Sequence, residues 1–454
     1  MDTVAAVATA RAAAGIGIVR ISGESAIAVA DKVFKAASGR SICSRSGYSA
    51  VYGHVYDGTQ RIDEAIALLF RAPKSYTGED VVELSCHGGM YRVQRVLRAV
   101  LAAGAKPAPP GEFTRRAFIN GRIDLSEAEA VMGLINASGQ AAAAVTLNVL
   151  DGALSRKIEK CAGELTVLSA SMAAWADFPD DDIPQLQSGE LLSALQNNLN
   201  TLEALLAGFD SGAAVTQGVD TAIIGSPNVG KSTLLNLLTG YERAIVTPNA
   251  GTTRDIIEET VNVGNAVLRL ADTAGIREDA PDEAEKIGVS RALEWAHRAQ
   301  LVLAVLEASR HLTDGERSVL RGLAGKKVIL VLNKNDLERV LEESELEEFD
   351  YTRVYVSAST GEGADALKRG IERILGADDI DTGAAMLITE RQRTCAQRAA
   401  ECIREAIQAV NSGITADAVN VSVDCAIQAL FELTGKAVTQ CVADEVFSRF
   451  CVGK

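Results

Sequence analysis

The stretch Gly225-Ser226-Pro227-Asn228-Val229-Gly230-Lys231-Ser232 matches the pattern G-x-x-x-x-G-K-S of a phosphate-binding P-loop. An apolar run over 222–224 precedes it and another over 234–238 follows it, which predicts strand, loop and helix in that order. In such a loop, backbone N–H groups and the start of the helix bind phosphate oxygens. We expect Lys231 to reach the β- and γ-phosphates and to take part in catalysis, and the Ser232 hydroxyl to bind Mg²⁺.

Three further stretches follow predicted strands in the order found in GTP-hydrolysing proteins. The aspartate of Asp272-Thr273-Ala274-Gly275 can hold Mg²⁺ through water, and its glycine N–H can sense the γ-phosphate. Asn333-Lys334-Asn335-Asp336 follows the apolar run 328–332, and the Asp336 carboxylate can accept two N–H bonds that guanine offers and adenine lacks. Ser357-Ala358-Ser359 is expected to support the base. The ordered set predicts a GTP-specific α/β domain.

The segment between the P-loop and Asp272 has the composition of a nucleotide-sensing switch. It contains Gly251-Thr252-Thr253-Arg254-Asp255, and we expect the Thr253 hydroxyl to complete the Mg²⁺ shell. Ile276 stands where Ras-type enzymes carry a water-orienting glutamine, so another group must orient the water, and the acidic run 278–285 is the nearest source. An arginine or a monovalent ion could neutralise the charge between the phosphates, and the Asn228 amide oxygen suits the ion.

Length and composition limit the remaining function classes. The chain has 454 residues, which indicates two to four domains, and its net charge of −15 excludes a free-standing nucleic-acid binder with a basic surface. Its eight cysteines lack CxxC pairs and zinc spacing, which predicts reduced, buried thiols of a cytoplasmic protein. The first residues lack the features of a signal peptide, and no run reaches the about 18 apolar residues of a membrane span.

The pattern along the chain predicts a multidomain α/β and α protein. An α+β domain over 1–119 precedes helical residues 120–215, the P-loop GTPase domain over 216–377, and further helical residues 378–454. A P-loop domain inserted into a discontinuous helical bundle explains this order. The local pattern predicts a capping box of Ser126 and Glu129, a linker marked by Ser211-Gly212 and Gly218, and a buried stripe of Leu191, Leu195, Leu199, Leu202 and Leu206.

Three features leave alternatives open. Between Cys86 and Arg122 the chain carries seven Lys or Arg residues and one acid, which indicates either a polyanion-binding patch or a solvated helix face. The aspartates of 180–182 could bind a metal, although a solvated helix start is favoured. Cys451, close to the carboxyl terminus, is either a buried thiol or a residue of an active site.

The combination of motifs resembles the MnmE (TrmE) family of bacterial and organellar tRNA-modification GTPases. The resemblance extends over the full chain and rests on Gly17-Ile18-Val19-Arg20-Ile21-Ser22-Gly23, Tyr76-Thr77-Gly78-Glu79-Asp80 through Glu83, His87-Gly88-Gly89, the segment 110–121, Asp177-Phe178-Pro179, the GTPase motifs, and Cys451-x-Gly453-Lys454. Arg122 stands where a lysine is common in the family, and residues 9–15 lack the usual proline and extra glycines.

The resemblance implies a folate site and a potassium site. A 5-formyl-tetrahydrofolate or a related tetrahydrofolate would bind residues matching Arg20, Glu83, Arg122 and Lys454. Potassium would bind Asn228, Thr247, Asn249 and Thr252 in place of an arginine finger, and Glu285 would orient the attacking water. The residues implied to bind GTP are Asn228, Val229, Gly230, Lys231, Ser232, Thr233, Thr247, Pro248, Asn249, Ala250, Gly251, Thr252, Thr253, Asp272, Thr273, Ala274, Gly275, Asn333, Lys334, Asp336, Ser357, Ala358 and Ser359.

The resemblance also implies an assembly and a reaction. The N-terminal domain would form a constitutive homodimer, and the GTPase domains would dimerise in the GTP state. With the FAD-binding partner MnmG, in a heterotetramer, the chain would add an aminomethyl or carboxymethylaminomethyl group to C5 of the wobble uridine of tRNA. FAD would enter only through the partner, and Cys451 is a catalytic candidate. The alternatives are a GTPase switch in assembly, for example of ribosomes, and a structural dimer with an idle nucleotide site.

Overall fold

The computed structural model describes residues 1–177, 188–240, 259–270 and 296–453. These residues divide into two compact units, one of Met1–Met132 with Gln428–Lys454 and the other of Gly133–Ile427. No helix among the described residues combines the length and the apolar character needed to cross a membrane.

Strands and helices alternate in residues 1–119 and again in 219–375, with helices between and after these two regions. The described strands are β1 (Val4–Val7), β2 (Ile16–Ser22), β3 (Phe34–Ala36), β4 (Ser49–Asp57), β5 (Gln60–Phe70), β6 (Val81–His87), β7 (Lys106–Pro107), β8 (Val219–Ile224), β9 (Glu259–Val263), β10 (Ala266–Leu270), β11 (Leu301–Glu307), β12 (Lys327–Asn333) and β13 (Thr352–Tyr355). The described helices are α1 (Ala26–Val33), α2 (Met90–Ala102), α3 (Glu112–Ile119), α4 (Leu125–Asn136), α5 (Gln140–Leu150), α6 (Ala153–Asp177), α7 (Ser188–Ala207), α8 (Phe209–Thr216), α9 (Lys231–Thr239), α10 (Asp314–Gly322), α11 (Ala364–Leu375), α12 (Glu390–Asn411), α13 (Ala416–Thr434) and α14 (Gln440–Ser448).

The first unit contains a seven-stranded sheet in the order β3-β4-β5-β6-β2-β1-β7. Neighbouring strands are antiparallel except β1 and β7. Alternate residues of β2, such as Val19 and Ile21, are buried together with residues of α1 and α2, because successive side chains of a strand point to opposite faces. Arg20 is therefore on the other face, and the register of β2 against β6 sets it directly opposite Glu83.

The second unit contains a six-stranded sheet in the order β13-β12-β11-β8-β10-β9. All neighbouring pairs are parallel except β9 and β10. The strands β11 and β12 are apolar and buried almost throughout, which is typical of parallel strands covered on both faces. Because parallel strands end at the same edge, the segments that follow β8, β11 and β12 meet there, and ligands of open α/β sheets bind at this edge.

Helices precede and follow the six-stranded sheet in sequence, so the predicted fold class is confirmed. Within the second unit α7 packs against α6 and α12. The predicted leucine stripe of α7 is buried at Leu191, Leu195, Leu199 and Leu202. At its last position the prediction is wrong, because Leu205 is buried and Leu206 is half-buried.

The predicted capping box of Ser126 and Glu129 is also wrong. The helix α4 begins after Asp124, whose carboxylate accepts a hydrogen bond from the Glu127 N–H (2.8 Å), while the Glu127 carboxylate accepts one from the Asp124 N–H (2.9 Å). Ser126 is buried inside the helix and donates to the Leu433 carbonyl (3.2 Å). Two overlapping patterns fit the sequence, and the burial of Ser126 decides between them.

Of the predicted linker, Ser211-Gly212 lies inside helix α8, and Gly218 lies between α8 and β8. A Cβ on Gly212 would lie 3.2 Å from the Leu387 carbonyl oxygen, which is closer than almost all such contacts. The glycine therefore allows close packing of the segment before α12 and does not mark a flexible connection.

Candidate functional site

The P-loop joins β8 to α9 at the carboxyl edge of the parallel sheet. The helix begins at Lys231 with Gly230 as its N-cap residue, in the left-handed conformation at φ +95°. Asn228 is also left-handed, at φ +62°. Left-handed residues next to right-handed ones turn successive backbone N–H groups toward a common point, which is the geometry of an anion-binding concavity.

Two glycines of the P-loop have no room for a side chain. A Cβ on Gly225 would clash with the Val305 carbonyl oxygen, and a Cβ on Gly230 would clash with the Asn333 amide nitrogen. The loop backbone therefore packs directly against the Val305 carbonyl of β11 and against the Asn333 side chain at the end of β12. This explains the glycines at both ends of the motif by packing as well as by conformation.

Asn333, at the end of β12, joins three candidate nucleotide-binding segments. Its side chain is 2% exposed. Its Nδ2 donates to the Val229 carbonyl of the P-loop (2.7 Å), and its Oδ1 accepts from the Ala358 N–H (2.9 Å). The amide thus holds the P-loop and the Ser357–Ser359 segment in a set position relative to β12.

The other residues of this edge leave polar groups toward solvent. Asp336 is exposed, and its carboxylate makes no hydrogen bond or ion pair with another described residue. Ser357 is buried and its hydroxyl lies 3.0 Å from that of the exposed Ser359. Lys334 is left-handed (φ +63°) and its Nζ pairs with Glu307 (2.8 Å), and this hydrogen bond lowers the pKa of Glu307. The Asp336 carboxylate is therefore available to a nucleotide base, and the buried Ser357 belongs to the segment expected to support that base.

Lys231, Ser232 and Thr233 occupy the first turn of α9. The Lys231 ammonium donates to the carbonyls of Gly225 (2.9 Å) and Ser226 (2.8 Å), so it lies over the P-loop. Ser232 and Thr233 are exposed, and within the described part of the chain the Ser232 hydroxyl makes no hydrogen bond. A hydroxyl at this position, next to a helix N-terminus, can bind a cation that also contacts phosphate.

Several predicted site residues lie outside the described residues. They are Thr247, Pro248, Asn249, Ala250, Gly251, Thr252, Thr253, Asp272, Thr273, Ala274, Gly275, Glu285 and Lys454, and the aspartates 180–182 lie outside them as well. Their assignments stay predictions.

A second polar site lies in the first unit, around Arg20. Its guanidinium donates to Glu83 (2.8 Å), and both side chains are mostly buried, at 15% and 17% exposed. The Arg20 guanidinium also lies 5.7 Å from the ring centre of Tyr76 and 5.5 Å from that of Phe113. A second N–H group of Arg20 donates to the Gly453 carbonyl (3.1 Å). A charged pair, two aromatic rings and the carboxyl-terminal segment therefore meet here.

The carboxyl-terminal segment approaches this site because Gly453 has no side chain. Gly453 has φ +99°, and a Cβ there would clash with the Val7 carbonyl oxygen. Two residues earlier, the Cys451 carbonyl accepts from the Gly111 N–H (3.4 Å), and the Cys451 side chain is exposed. The interpretation of Cys451 as a buried thiol is therefore wrong. The prediction of buried thiols is confirmed for Cys86, Cys161, Cys395 and Cys402 and is also wrong for Cys43, Cys425 and Cys441, which are exposed.

Arg122 lies beside the Tyr76-Thr77-Gly78 turn, where a Cβ on Gly78 would lie 3.4 Å from its Cγ. Arg122 is exposed. Among the described residues no hydrogen bond or ion pair joins Arg122 to Arg20 or Glu83. The structure thus brings together Arg20 and Glu83 and leaves Arg122 as a neighbour of the Tyr76 turn.

The arginines between Cys86 and Arg122 do not share one surface role. Arg116 is 2% exposed and pairs with Glu79 and Glu112, each at 2.8 Å. Arg92 donates to the Ile62 carbonyl (2.7 Å). These two residues hold the fold together, so the excess of positive charge in the sequence is not a measure of free positive surface.

Models of known protein families match nearly the whole chain. A model of the MnmE helical domain matches residues 125–451, and a model of the GTP-binding protein TrmE N-terminus matches residues 3–122. The chain is 43% identical over 457 residues to the tRNA modification GTPase MnmE of Geobacter sulfurreducens, covering 100% of this chain and 99% of that protein. It is 39% identical over 458 residues to that of Thermoanaerobacter pseudethanolicus, with the same coverage.

The chain belongs to the MnmE family of tRNA modification GTPases. The G domain of the T. maritima FeoB iron transporter is a similar solved structure at 27% identity, with a TM-score of 0.25, covering 34% of this chain and 98% of that one. The fold of the nucleotide domain follows instead from the strand order and the P-loop described above.

As an MnmE-family member the chain is a GTPase, a hydrolase acting on acid anhydrides. The structural role of Asn333 is not evident from the sequence, because the motif that contains it predicts base recognition. The Tyr76 and Phe113 rings belong to motifs quoted above, but their contact with Arg20 joins residues from three separate segments. That contact depends on how the loop before β6 and helix α3 pack against β2, which local sequence patterns do not give.

Proposed function

We propose that the chain hydrolyses GTP while taking part, with the FAD-binding partner MnmG, in the modification of tRNA. The product carries an aminomethyl or carboxymethylaminomethyl group at C5 of the wobble uridine, and a tetrahydrofolate of the 5-formyl type supplies the one-carbon unit. Membership of the MnmE family supports the tRNA substrate. The geometry of the two sites supports the division of chemistry between them.

The proposed nucleotide site rests on one observation, which is that three segments meet at one edge of the sheet. The buried Asn333 amide connects the P-loop at Val229 with the Ser357–Ser359 segment at Ala358. A guanine nucleotide fits this edge with its phosphates over the P-loop and its base beside Asp336. The free Asp336 carboxylate then accepts the two guanine N–H groups, which gives selectivity against adenine.

Lys231 and Ser232 supply the phosphate chemistry. Lys231 exchanges its hydrogen bonds with the Gly225 and Ser226 carbonyls for β- and γ-phosphate oxygens. The exposed Ser232 hydroxyl fits as a magnesium ligand, with Thr253 proposed as the second. The magnesium ion neutralises charge on the β- and γ-phosphate oxygens when it is bound.

The remaining positive charge is assigned to potassium rather than to an arginine. Asn228 is exposed and left-handed, so its amide oxygen is available beside the P-loop. The proposed site is completed by Thr247, Asn249 and Thr252, and potassium there offsets charge that develops between the β- and γ-phosphates. Glu285 is proposed to orient the attacking water, because Ile276 cannot do so.

The folate is assigned to the second polar site. Arg20 and Glu83 offer a paired cation and anion, and Tyr76 and Phe113 offer flat aromatic surface. The Gly453 carbonyl bonded to Arg20 brings Cys451 into the same region. We propose that Arg122 and Lys454 bind the outer part of the folate and that Cys451 takes part in a catalytic step.

The proposed assembly is a homodimer through residues 1–119 that forms a heterotetramer with MnmG in the cytoplasm. Four domains serve this assembly: the folate-binding domain 1–119, helical residues 120–215, the GTPase domain 216–377 and helical residues 378–454. In the GTP state the two GTPase domains of the homodimer associate with each other, and this association accelerates GTP hydrolysis.

Nucleoside analysis of tRNA tests the proposal directly. A strain that lacks the chain should lose the C5-modified wobble uridine, and the wild-type chain should restore it. Lys231→Ala and Glu83→Gln should each fail to restore it, because the first removes the phosphate-binding ammonium and the second the charge that pairs with Arg20. Unrelated modified nucleosides serve as the control. Persistence of the C5-modified uridine in the deletion strain would contradict the proposal and favour an assembly switch.

A further inference from the structure

An ion-pair network connects the phosphate-binding edge with the base-binding edge of the nucleotide site. It consists of Glu307, Arg310, Glu316 and Lys334, which alternate in charge. Arg310 donates to both carboxylate oxygens of Glu316, at 2.7 and 2.9 Å, and pairs with Glu307 at 3.5 Å. Glu307 in turn pairs with Lys334 at 2.8 Å. Each of these four side chains therefore contacts at least one side chain of opposite charge.

The two ends of the ion-pair network lie in different nucleotide-binding segments. At one end the Ser226 hydroxyl, in the P-loop, donates to Glu316 Oε1 (2.8 Å). At the other end Lys334 belongs to the Asn333–Asp336 motif. The sheet order explains this connection, since β11, which ends at Glu307, lies between β8 and β12.

Burial makes these contacts stronger than surface ion pairs. The Glu316 side chain is 6% exposed and that of Glu307 is 18% exposed. Burial alone would raise the pKa of Glu316, but hydrogen bonds from Arg310, from the Thr313 N–H and from Ser226 lower it overall. Glu316 is therefore a carboxylate at neutral pH, and its bidentate pairing with Arg310 has a defined geometry.

The P-loop is thus attached to the base-binding segment at two points. Near its end, Val229 accepts from Asn333 (2.7 Å), and near its start, Ser226 reaches Lys334 through the ion-pair network. The first attachment is a single buried amide. The second passes through four charged side chains, whose positions depend on one another.

We infer that Glu316 and Arg310 are positioning residues for GTP, which couple the placement of the P-loop to that of the base-binding segment. The inference rests on the nucleotide site proposed above. Glu316 acts through Ser226, and Arg310 acts through Glu316 and Glu307. A nucleotide that orders the base-binding segment thereby also orders the start of the P-loop, and the two contributions to affinity are not independent.

A double-mutant cycle on the full chain tests the coupling, with mant-GDP as the probe. Ser226→Ala removes the hydroxyl at one end of the network, and Glu307→Gln weakens the pairing at the other. Each single variant should weaken mant-GDP binding about 3–10-fold, the effect expected for one net hydrogen bond. The double variant should bind about as weakly as the weaker single variant, because either change already breaks the connection.

Arg317→Gln is the matched control. Arg317 lies on the same helix α10 and pairs with Glu345 (3.0 Å) and Glu348 (3.5 Å), and these contacts involve none of the four residues of the ion-pair network. Its loss should leave the affinity within about twofold, while the melting temperature reports any loss of stability, which separates a positioning role from general destabilisation. Circular dichroism of every variant should match that of the wild type.

The outcomes separate this inference from the proposed site. If the wild type fails to bind mant-GDP, the nucleotide site itself is wrong. If the wild type binds and the two single effects multiply in the double variant, the residues act independently and the coupling is refuted. Single variants with wild-type affinity would refute it as well.

Discussion

Replacing Asn333 with alanine should destabilise the nucleotide domain more than any loss of base contact would suggest. Asn333 is 2% exposed, and its side chain makes two buried hydrogen bonds. Its Nδ2 donates to the Val229 carbonyl, and its Oδ1 accepts from the Ala358 N–H. Alanine leaves both backbone groups buried without these partners. An unsatisfied buried polar group costs about 1–3 kcal/mol, so the two together cost roughly 2–6 kcal/mol.

Scanning calorimetry of the full chain measures this loss. A domain of the proposed size loses about 2–4 °C in melting temperature for each kcal/mol, so the transition should fall by roughly 4–24 °C. The melting transition of the nucleotide domain can be identified by adding GDP, which should raise its melting temperature, because a ligand stabilises the folded form to which it binds. Faster release of mant-GDP should accompany the lower transition, since the P-loop loses one attachment.

Asn335→Ala is the control for this prediction. Asn335 is half-buried, and its backbone N–H donates to the Val356 carbonyl (3.2 Å), a bond that alanine retains. Its transition should stay within about 2 °C of the wild type. If the Asn333 and Asn335 variants have the same melting temperature, the buried Asn333 amide does not connect the P-loop with the Ser357–Ser359 segment.

Four further predictions address the ions, the base, the terminus and the thiols. GTP turnover should be faster in potassium chloride than in sodium chloride at equal ionic strength, because potassium supplies the missing positive charge; equal rates would remove the potassium proposal. Asp336→Asn should weaken GTP and admit the xanthine nucleotide in a competition assay, because the amide donates where the carboxylate accepts; an unchanged preference would mean that another group reads the base. Gly453→Ala should raise hydrogen exchange of the carboxyl-terminal peptide about 5–30-fold, since φ +99° and the clash with the Val7 carbonyl disfavour any side chain, and protection equal to the wild type would contradict this. Burial and the neighbouring thiol of Cys425 raise the pKa of Cys402 to about 12, so iodoacetamide at pH 8 should label the exposed Cys425 first, as mass spectrometry of the peptides can establish; equal labelling would show that both thiols are accessible.

Local sequence patterns predicted the elements of the nucleotide domain because their causes are local. A glycine-rich loop between an apolar strand and a helix requires only residues 222–238, and β8 and α9 form there as expected. The same holds for the strand before Asn333. Parallel strands end at one edge, so the sequence order of the motifs already implied that they meet. The family resemblance, which rests on short motifs spread over the chain, is confirmed for the same reason.

Contacts between distant segments were decided only by the tertiary structure. The pairing of Arg20 with Glu83 depends on the register of β2 against β6, and a shift of one residue would place them on opposite faces. The alternative capping patterns near α4 were equally good locally, and the burial of Ser126 selected one. The sequence by itself determined which chemical groups this protein carries and on which elements, because helix, strand and loop preferences act over a few residues. The structure decided which groups share an environment, because packing and strand register join segments far apart in the chain.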